Sequence, residues 1–228
     1  MQTFHQRRLD KLQELKLMDV VKRKNPYLFK AKYINEAQEF VKTILDAFLS
    51  SQEEGIFGDF LEELAIFICG QVYGGRKSST VGIDLEFEKD NIRYIVSIKS
   101  GPNWGNSGQI EKMRDNFRQA KQILGRNISS TNVVAVNGCC YGKDSVPNKG
   151  DYFKLCGQSF WEFISGDGGL YTAIIEPLGH RAKEINEQFS LEYAKVVNRF
   201  TGEFIKEFCD ADGSIRWGDV VRFNSAST

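Results

Sequence analysis

The sequence predicts an α/β fold in which helices flank a mixed central sheet. Apolar and polar residues alternate over 81–99, as in paired strands with one buried face. The apolar run 133–136 follows a helical stretch at about 109–124, and the order strand, helix, strand implies a parallel crossover. We therefore expect a core of order αββαβ, with helical additions before and after it.

Composition narrows the class of protein. The chain has 228 residues, 30 basic and 30 acidic, and 41% of it is apolar, which is typical of a globular protein. It has no apolar run of about 18 residues and a polar N-terminus, so we expect no membrane span, no export and a cytoplasmic location. Two histidines and five cysteines without CxxC spacing argue against a histidine cluster, structural zinc or a disulfide framework.

Three helices are predicted before the sheet. The first covers 5–24 and ends at Asn25-Pro26, the second covers about 36–51, and the third runs over about 57–72 to Gly74-Gly75. On the third helix the aromatic and large aliphatic residues share one face. The members of that face are Phe57, Phe60, Leu64, Phe67 and Ile68. With this face buried, Glu63 borders the apolar side and Glu62 is nearly opposite.

The charges are unevenly distributed over these helices. Residues 1–35 carry nine Lys or Arg and three acids, whereas 36–63 carry eight acids and one Lys. Such a basic arm beside an acidic stretch suits a protein that contacts phosphates at one place and holds a metal at another. Ordinary solvated helix faces account for the same charges.

The segment 81–99 predicts a β-hairpin. Asp90-Asn91 is the natural two-residue loop, because both residues tolerate a left-handed backbone. This loop pairs 88 with 93, 86 with 95 and 84 with 97. Asp84, Glu86, Ser97 and Lys99 then project from one face. A carboxylate that holds a divalent cation, next to a lysine that orients water, suits phosphodiester hydrolysis.

The pattern Asp84-x12-Ser97-Ile98-Lys99 in this hairpin resembles the PD-(D/E)xK nuclease superfamily, most closely its type II restriction endonucleases. The resemblance covers about 36–141 and implies a restriction-endonuclease-like sheet in a single nuclease domain over 1–228. In that domain 1–35 is a basic helical arm, 36–141 the catalytic core and 142–228 a mainly helical addition. The predicted addition has a strand at 153–155, helices at 159–164 and about 181–208, and a short polar or hairpin tail after Asp210.

The resemblance also implies an activity. A homodimer would use Mg²⁺ to hydrolyse both strands of double-stranded DNA at a short specific sequence, and a cognate DNA methyltransferase is expected in the same host. Asp84 and the Ile98 carbonyl would ligate the metal, and Lys99 would position the attacking water. The alternatives are a catalytically inactive DNA-binding protein on the same fold and an α/β interaction module that does not bind nucleic acid.

Two positions depart from the motif. Ile83 replaces the proline, and Ser97 replaces the second acid, whose negative charge a serine cannot supply. Glu63, Glu86 or Glu62 could supply it instead. We prefer Glu63 to Glu62 and leave Glu63 and Glu86 open as metal ligands. An inactive copy of the enzyme is a further possibility.

DNA contacts are expected from the loop that follows Lys99 and from two cations before the hairpin. These candidates are Arg76, Lys77, Ser100, Asn103, Trp104, Asn106, Ser107 and Gln109. Trp104 could also stack on a base or form a wedge.

Overall fold

A computed structural model describes residues 2–127, 132–179 and 182–227. The chain divides into two compact units, one formed by Met1–Ile56 with Arg181–Thr228 and the other by Phe57–His180. The expected segments 1–35, 36–141 and 142–228 do not coincide with these units. None of the described helices is long and apolar enough to cross a membrane.

The first unit is helical. Its elements are α1 (Gln2–Glu14), α2 (Leu17–Lys22), α3 (Pro26–Ala31), the first part of α4 (Ala37–Tyr73), α9 (Ala182–Phe208) and α10 (Trp217–Ser225). The expected basic arm is part of this unit's core, since Leu12 and Val20 are fully buried in one apolar cluster with Phe40 and Phe204. The predicted helix 5–24 is split into α1 and α2, and the tail forms the helix α10 instead of a hairpin.

The second unit contains the sheet. After the end of α4 its elements are β1 (Arg76–Lys77), β2 (Leu85–Lys89), β3 (Ile92–Lys99), α5 (Ser107–Asn127), β4 (Asn132–Cys139), β5 (Phe153–Cys156), α6 (Gln158–Ser165), α7 (Leu170–Ala173) and α8 (Ile175–Gly179). The strand order is β1-β2-β3-β4-β5. The β1–β2 and β2–β3 pairs are antiparallel, and the β3–β4 and β4–β5 pairs are parallel. This confirms the mixed sheet and the αββαβ order.

The hairpin has the predicted register. Glu88 pairs with Arg93 and Glu86 with Ile95 across β2 and β3. Asp90 and Asn91 form the turn with φ of 53° and 59°, the left-handed backbone that a tight two-residue loop needs. Local alternation and turn chemistry therefore predicted the register of β2 with β3. The alternation does not extend before β2, since Ile83 packs on the α5 side of the sheet and Leu85 on the α4 side.

Helices cover both faces of the sheet. One face packs on α4 and α6 through Leu85, Phe87, Val96, Ile98, Val136, Leu61, Ala65, Cys69, Phe160, Trp161 and Ile164. The other packs on α5 through Ile83, Ile95, Ala135, Met113, Phe117, Ala120 and Tyr152. The result is a three-layer α/β/α unit with a core on each side of the sheet.

Helix α4 differs from the prediction in length and in orientation. It runs unbroken from Ala37 to Tyr73 where two helices were expected. Its row on the sheet is Leu61, Ala65 and Cys69, whereas Phe67 is 63% exposed. Small side chains in that row let the helix backbone approach the strands closely, so the aromatic residues do not define the buried face.

Candidate active site

The entry to β2 and the end of β3 bring the motif residues together. The Asp84 backbone N–H donates to the Val96 carbonyl at 2.8 Å, which continues the hairpin ladder beyond β2. The Asp84 side chain therefore lies beside the opposite strand. Its Oδ2 accepts a hydrogen bond from the Ile98 N–H at 2.6 Å and a longer one from the Ser97 hydroxyl at 3.4 Å. The carboxylate is thus held by the backbone of the strand that carries Lys99.

Lys99 lies against the same two residues. Its Nζ donates to the Ile98 carbonyl at 2.9 Å and is 3.7 Å from Asp84 Oδ2. The Lys99 and Asp84 side chains are only 31% and 21% exposed. A carboxylate oxygen and a carbonyl oxygen therefore already converge on a cation. Both are hard oxygen ligands of the kind that Mg²⁺ prefers, so these two residues fit the metal that the motif implies.

A surface cavity of about 430 Å³ opens onto this group. It is lined by Gly82, Asp84, Ser97, Lys99, Trp104, Asn106, Gly108, Gln109, Lys112, Met113 and Asn116. The structure thus brings Asp84, Ser97 and Lys99 together with three of the expected DNA-contacting residues.

Two of those three already have a structural role. The Asn106 N–H donates to Gln109 Oε1, and the Gln109 N–H donates to Asn106 Oδ1, both at 3.0 Å. This reciprocal capping satisfies free N–H groups at the start of α5. The amides are oriented by the helix end at the cavity wall, and any contact with DNA would compete with the cap.

Ser97 stands where the expected motif has its second acid. It is 3% exposed, and its neighbours are the Asp84 carboxylate and the buried amide of Asn137, which donates to the Ser97 carbonyl at 3.1 Å. A neutral hydroxyl there leaves the site with one carboxylate fewer than the motif has. Another acid must supply the charge if the site is to hold a metal as the motif does.

Glu62, not Glu63, is the helix glutamate that faces Asp84. Burial raises the pKa of Glu62, the Asp84 charge raises it further, and Lys77 and Lys99 oppose the shift. Two carboxylates that disfavour each other's charge are typical of a cation site. Glu63 is exposed. At 100° per residue, Glu62 lies roughly 60° and Glu63 roughly 160° from the centre of the buried row of α4, which reverses the predicted placement of these two residues on the helix.

Glu86 lies apart from this group. It is 7% exposed, accepts a short hydrogen bond from the Ser78 hydroxyl and lines a separate cavity of about 260 Å³ with Arg76 and Arg93. Within residues 2–127, 132–179 and 182–227, no three His, Cys, Asp or Glu side chains converge as a ready-made metal site. Of the four expected metal ligands, Asp84 and Ile98 lie together, whereas Glu63 and Glu86 do not join them.

The other expected DNA-contacting residues are spread around the site. Asn103 and Ser107 are exposed, and Ser100 lies against Gly58 of α4. Arg76 is an exposed residue of the edge strand, paired with Glu86. Lys77 lies 3.5 Å from Glu62 Oε1.

Sequence reasoning missed Asn137. It is 1% exposed on β4, directly opposite Ser97. The sequence does contain a signal, because Asn137 directly follows the apolar run 133–136 and is expected to continue the same buried strand. A polar side chain buried on a strand needs specific hydrogen-bond partners.

The five-stranded mixed sheet flanked by helices is consistent with a restriction-endonuclease-like fold, and Asp84 at the entry to β2 lies beside Lys99 at the end of β3. The chain belongs to the type II restriction endonuclease EcoO109I family, whose model matches residues 1–186. It is a restriction endonuclease by this membership. A search of curated proteins found no match.

Proposed function

We propose that this restriction endonuclease uses Mg²⁺ to cut both strands of a short specific DNA sequence, with Asp84 and Lys99 at its catalytic centre. The observation that carries the proposal is the convergence of Asp84 Oδ2 and the Ile98 carbonyl on the Lys99 ammonium. In a chain of this family, such an arrangement supports the PD-(D/E)xK assignment despite Ser97.

Each residue has a proposed role. The Asp84 carboxylate and Ile98 carbonyl hold the ion, and Glu62 supplies the charge that Ser97 lacks. When bound, Mg²⁺ lowers the pKa of water and offsets the charge of the phosphate. Lys99 orients the attacking water by hydrogen bonding and stabilises the negative charge that develops on the phosphate. Arg76 and, in the loop 100–109, residues Ser100, Asn103, Asn106, Ser107 and Gln109 contact the DNA backbone and bases.

The test is digestion of plasmid and phage DNA with Mg²⁺ or with EDTA. We expect discrete fragments with Mg²⁺ and intact DNA with EDTA. Asp84→Ala and Lys99→Ala should lower the rate at least about 100-fold, because each removes a charged group that stabilises the transition state. Cutting by Asp84→Ala at the wild-type rate would rule out the proposed centre.

Glu62 and Glu63 offer a matched pair on one turn of α4. Glu62→Gln should weaken Mg²⁺ binding in calorimetry and slow cleavage, because it removes the second carboxylate near Asp84. Glu63→Gln makes the same chemical change at an exposed position and should leave both unchanged. Equal effects of the two variants would remove Glu62 from the metal site.

A second candidate is an inactive DNA-binding protein on the same fold. Ser97 favours it, together with the lack of a converged three-acid cluster in the described part of the chain. This candidate predicts intact DNA in every digest and a salt-dependent shift of duplex DNA on a gel. Cleavage in the presence of Mg²⁺ excludes it.

The homodimer and the cognate methyltransferase also belong to this proposal. A palindromic site presents two equivalent phosphates, which two-fold symmetry would match. Sedimentation of the free protein at twice the mass of one chain would support the dimer. A sequence-specific nuclease also needs its host DNA protected. Methylation of the host DNA at the sequence found at the fragment ends would support a cognate methyltransferase.

A further inference from the structure

Asn137 connects two segments of the site through its buried amide. Its Nδ2 donates to the Ser97 carbonyl, and its Oδ1 accepts from Trp104 Nε1, each at 3.1 Å. The first bond goes to β3, which carries Ser97 and Lys99, and the second goes to the loop that follows β3. The amide thus fixes the Trp104 indole relative to the motif strand.

The indole in turn faces Lys99. The Lys99 Nζ lies 5.4 Å from the centroid of the Trp104 ring, within the range of a cation–π interaction. Its other neighbours are the Ile98 carbonyl and the Asp84 carboxylate. A lysine side chain has a flexible four-carbon stem, so a ring face beside its ammonium limits the positions that it can adopt.

These contacts favour a role for Trp104 different from wedging into DNA. Its N–H is already bonded to Asn137, its ring faces Lys99, and the residue packs at the edge of the core formed with α5. A side chain held on three sides is suited to support a neighbour. Insertion between bases would require breaking all of these contacts.

We propose that Asn137 is a positioning residue for catalysis: it orients the Trp104 indole, and the indole face holds the Lys99 ammonium beside Asp84. The inference rests on the proposed function for the role of Lys99 in cleavage. The chain of contacts itself does not depend on that function, so it has its own test.

The first measurement is an NMR spectrum of the full chain with ¹³Cε-labelled lysine and no DNA. Ring current from Trp104 should displace the Lys99 ε-CH₂ signal, which Lys99→Arg identifies by its loss. Asn137→Leu removes both amide bonds, and Trp104→Phe removes the donated N–H while keeping an aromatic ring. Both should change the displacement, and Trp104→Leu should abolish it. A Lys99 signal unaffected by all three variants would overturn the inference.

The second measurement is single-turnover cleavage, with DNA affinity measured separately in EDTA. We expect Asn137→Leu and Trp104→Phe each to slow cleavage about tenfold or more, as displacement of a catalytic group does, with DNA affinity within about twofold of wild type. The double variant should be no slower than the slower single variant, because both break one connection. Additive losses would instead indicate separate structural effects.

Trp217→Phe is the matched control. It makes the same change in the helical unit, where Trp217 packs on Phe40, and should leave the Lys99 signal and cleavage unchanged. If Asn137→Leu fails to fold, the Trp104 variants carry the test, since this residue is only partly buried. If wild type does not cut DNA, the proposed function fails and the NMR result still decides the positioning. If wild type cuts DNA and both single variants cut as fast as wild type, the proposed function stands and only the positioning role of Asn137 fails.

Discussion

Gly55 and Gly58 of α4 allow the packing of this helix against the active-site loop to be tested by one substitution at two positions. An added Cβ at Gly55 meets nothing within 4 Å, whereas one at Gly58 would lie 2.6 Å from Ser100 Oγ. Alanine in a helix interior is more favourable than glycine by about 1 kcal/mol. Gly55→Ala should therefore stabilise the protein by about that amount, or raise Tm by about 2–4 °C.

Gly58→Ala gains the same helix propensity but must displace Ser100. Overpacking costs about 1–3 kcal/mol, so its stability should fall below that of Gly55→Ala by about this difference. Ser100 follows Lys99 directly, so cleavage should slow in Gly58→Ala alone. Thermal unfolding followed by circular dichroism and single-turnover cleavage measure the two effects.

The control is the double variant Gly58→Ala, Ser100→Gly, in which the hydroxyl that the new methyl group meets is gone. It should recover the stability that the contact costs. Equal stability and equal activity of Gly55→Ala and Gly58→Ala would contradict a Ser100 hydroxyl that is fixed against α4.

Three further outcomes are expected. Phe160→Ala should cost about 3–5 kcal/mol in urea unfolding, because Phe160 is fully buried in the core between α6 and the sheet; a loss below about 1 kcal/mol would contradict this packing. The pKa of Glu62 in the folded protein is raised above its ordinary 4.5, mainly by burial. The folded protein therefore loses stability as the pH rises above 4.5 and Glu62 ionises. Metal-free Glu62→Gln should thus be more stable than wild type at neutral pH, and the difference should vanish below pH 4.5; a difference independent of pH would refute the shift. Arg76→Ala should reduce the slope of log binding constant against log salt concentration by about one, as measured by fluorescence anisotropy with labelled DNA. An unchanged slope would show that Arg76 does not contact a phosphate.

The sequence was sufficient for features that depend on neighbouring residues. Alternation over 81–99 and the Asp90-Asn91 turn predict the hairpin. The structure has the same pairing from Leu85 with Val96 to Lys89 with Ile92, although β2 begins at Leu85 and not at 81. The proximity of Asp84 to Lys99 follows from that register. A strand period of two leaves few alternatives once the turn is known.

Orientation of α4 could not be predicted in the same way. A helical wheel ranks faces by hydrophobicity, and Phe67 weighs more there than Ala65. The sheet instead selects the row where small side chains permit close approach, so Ala65 is fully buried and Phe67 exposed. The helical wheel therefore gave α4 the wrong rotation about its axis, and this is the reason why the sequence favoured Glu63 over Glu62.

Contacts between distant residues were also beyond the sequence. Asn137 and Trp104 are separated by a helix and a strand, and their hydrogen bond depends on the parallel pairing of β3 with β4. Periodicity identifies each element but does not say which polar side chains meet once the elements are assembled.

The division of the chain has a consequence for the order of folding during synthesis. The unit that contains the sheet is one continuous segment, Phe57–His180, whereas the helical unit needs residues on both sides of it. Contacts between residues so far apart in the sequence close a long loop, which is entropically costly and slow compared with forming local contacts. We expect the sheet to resist protease on ribosome-bound chains once residues up to 179 have emerged, while residues 2–56 remain cleavable until Ala182–Phe208 has emerged. Protection of 2–56 before that point would show that the N-terminal helices fold without their C-terminal partners.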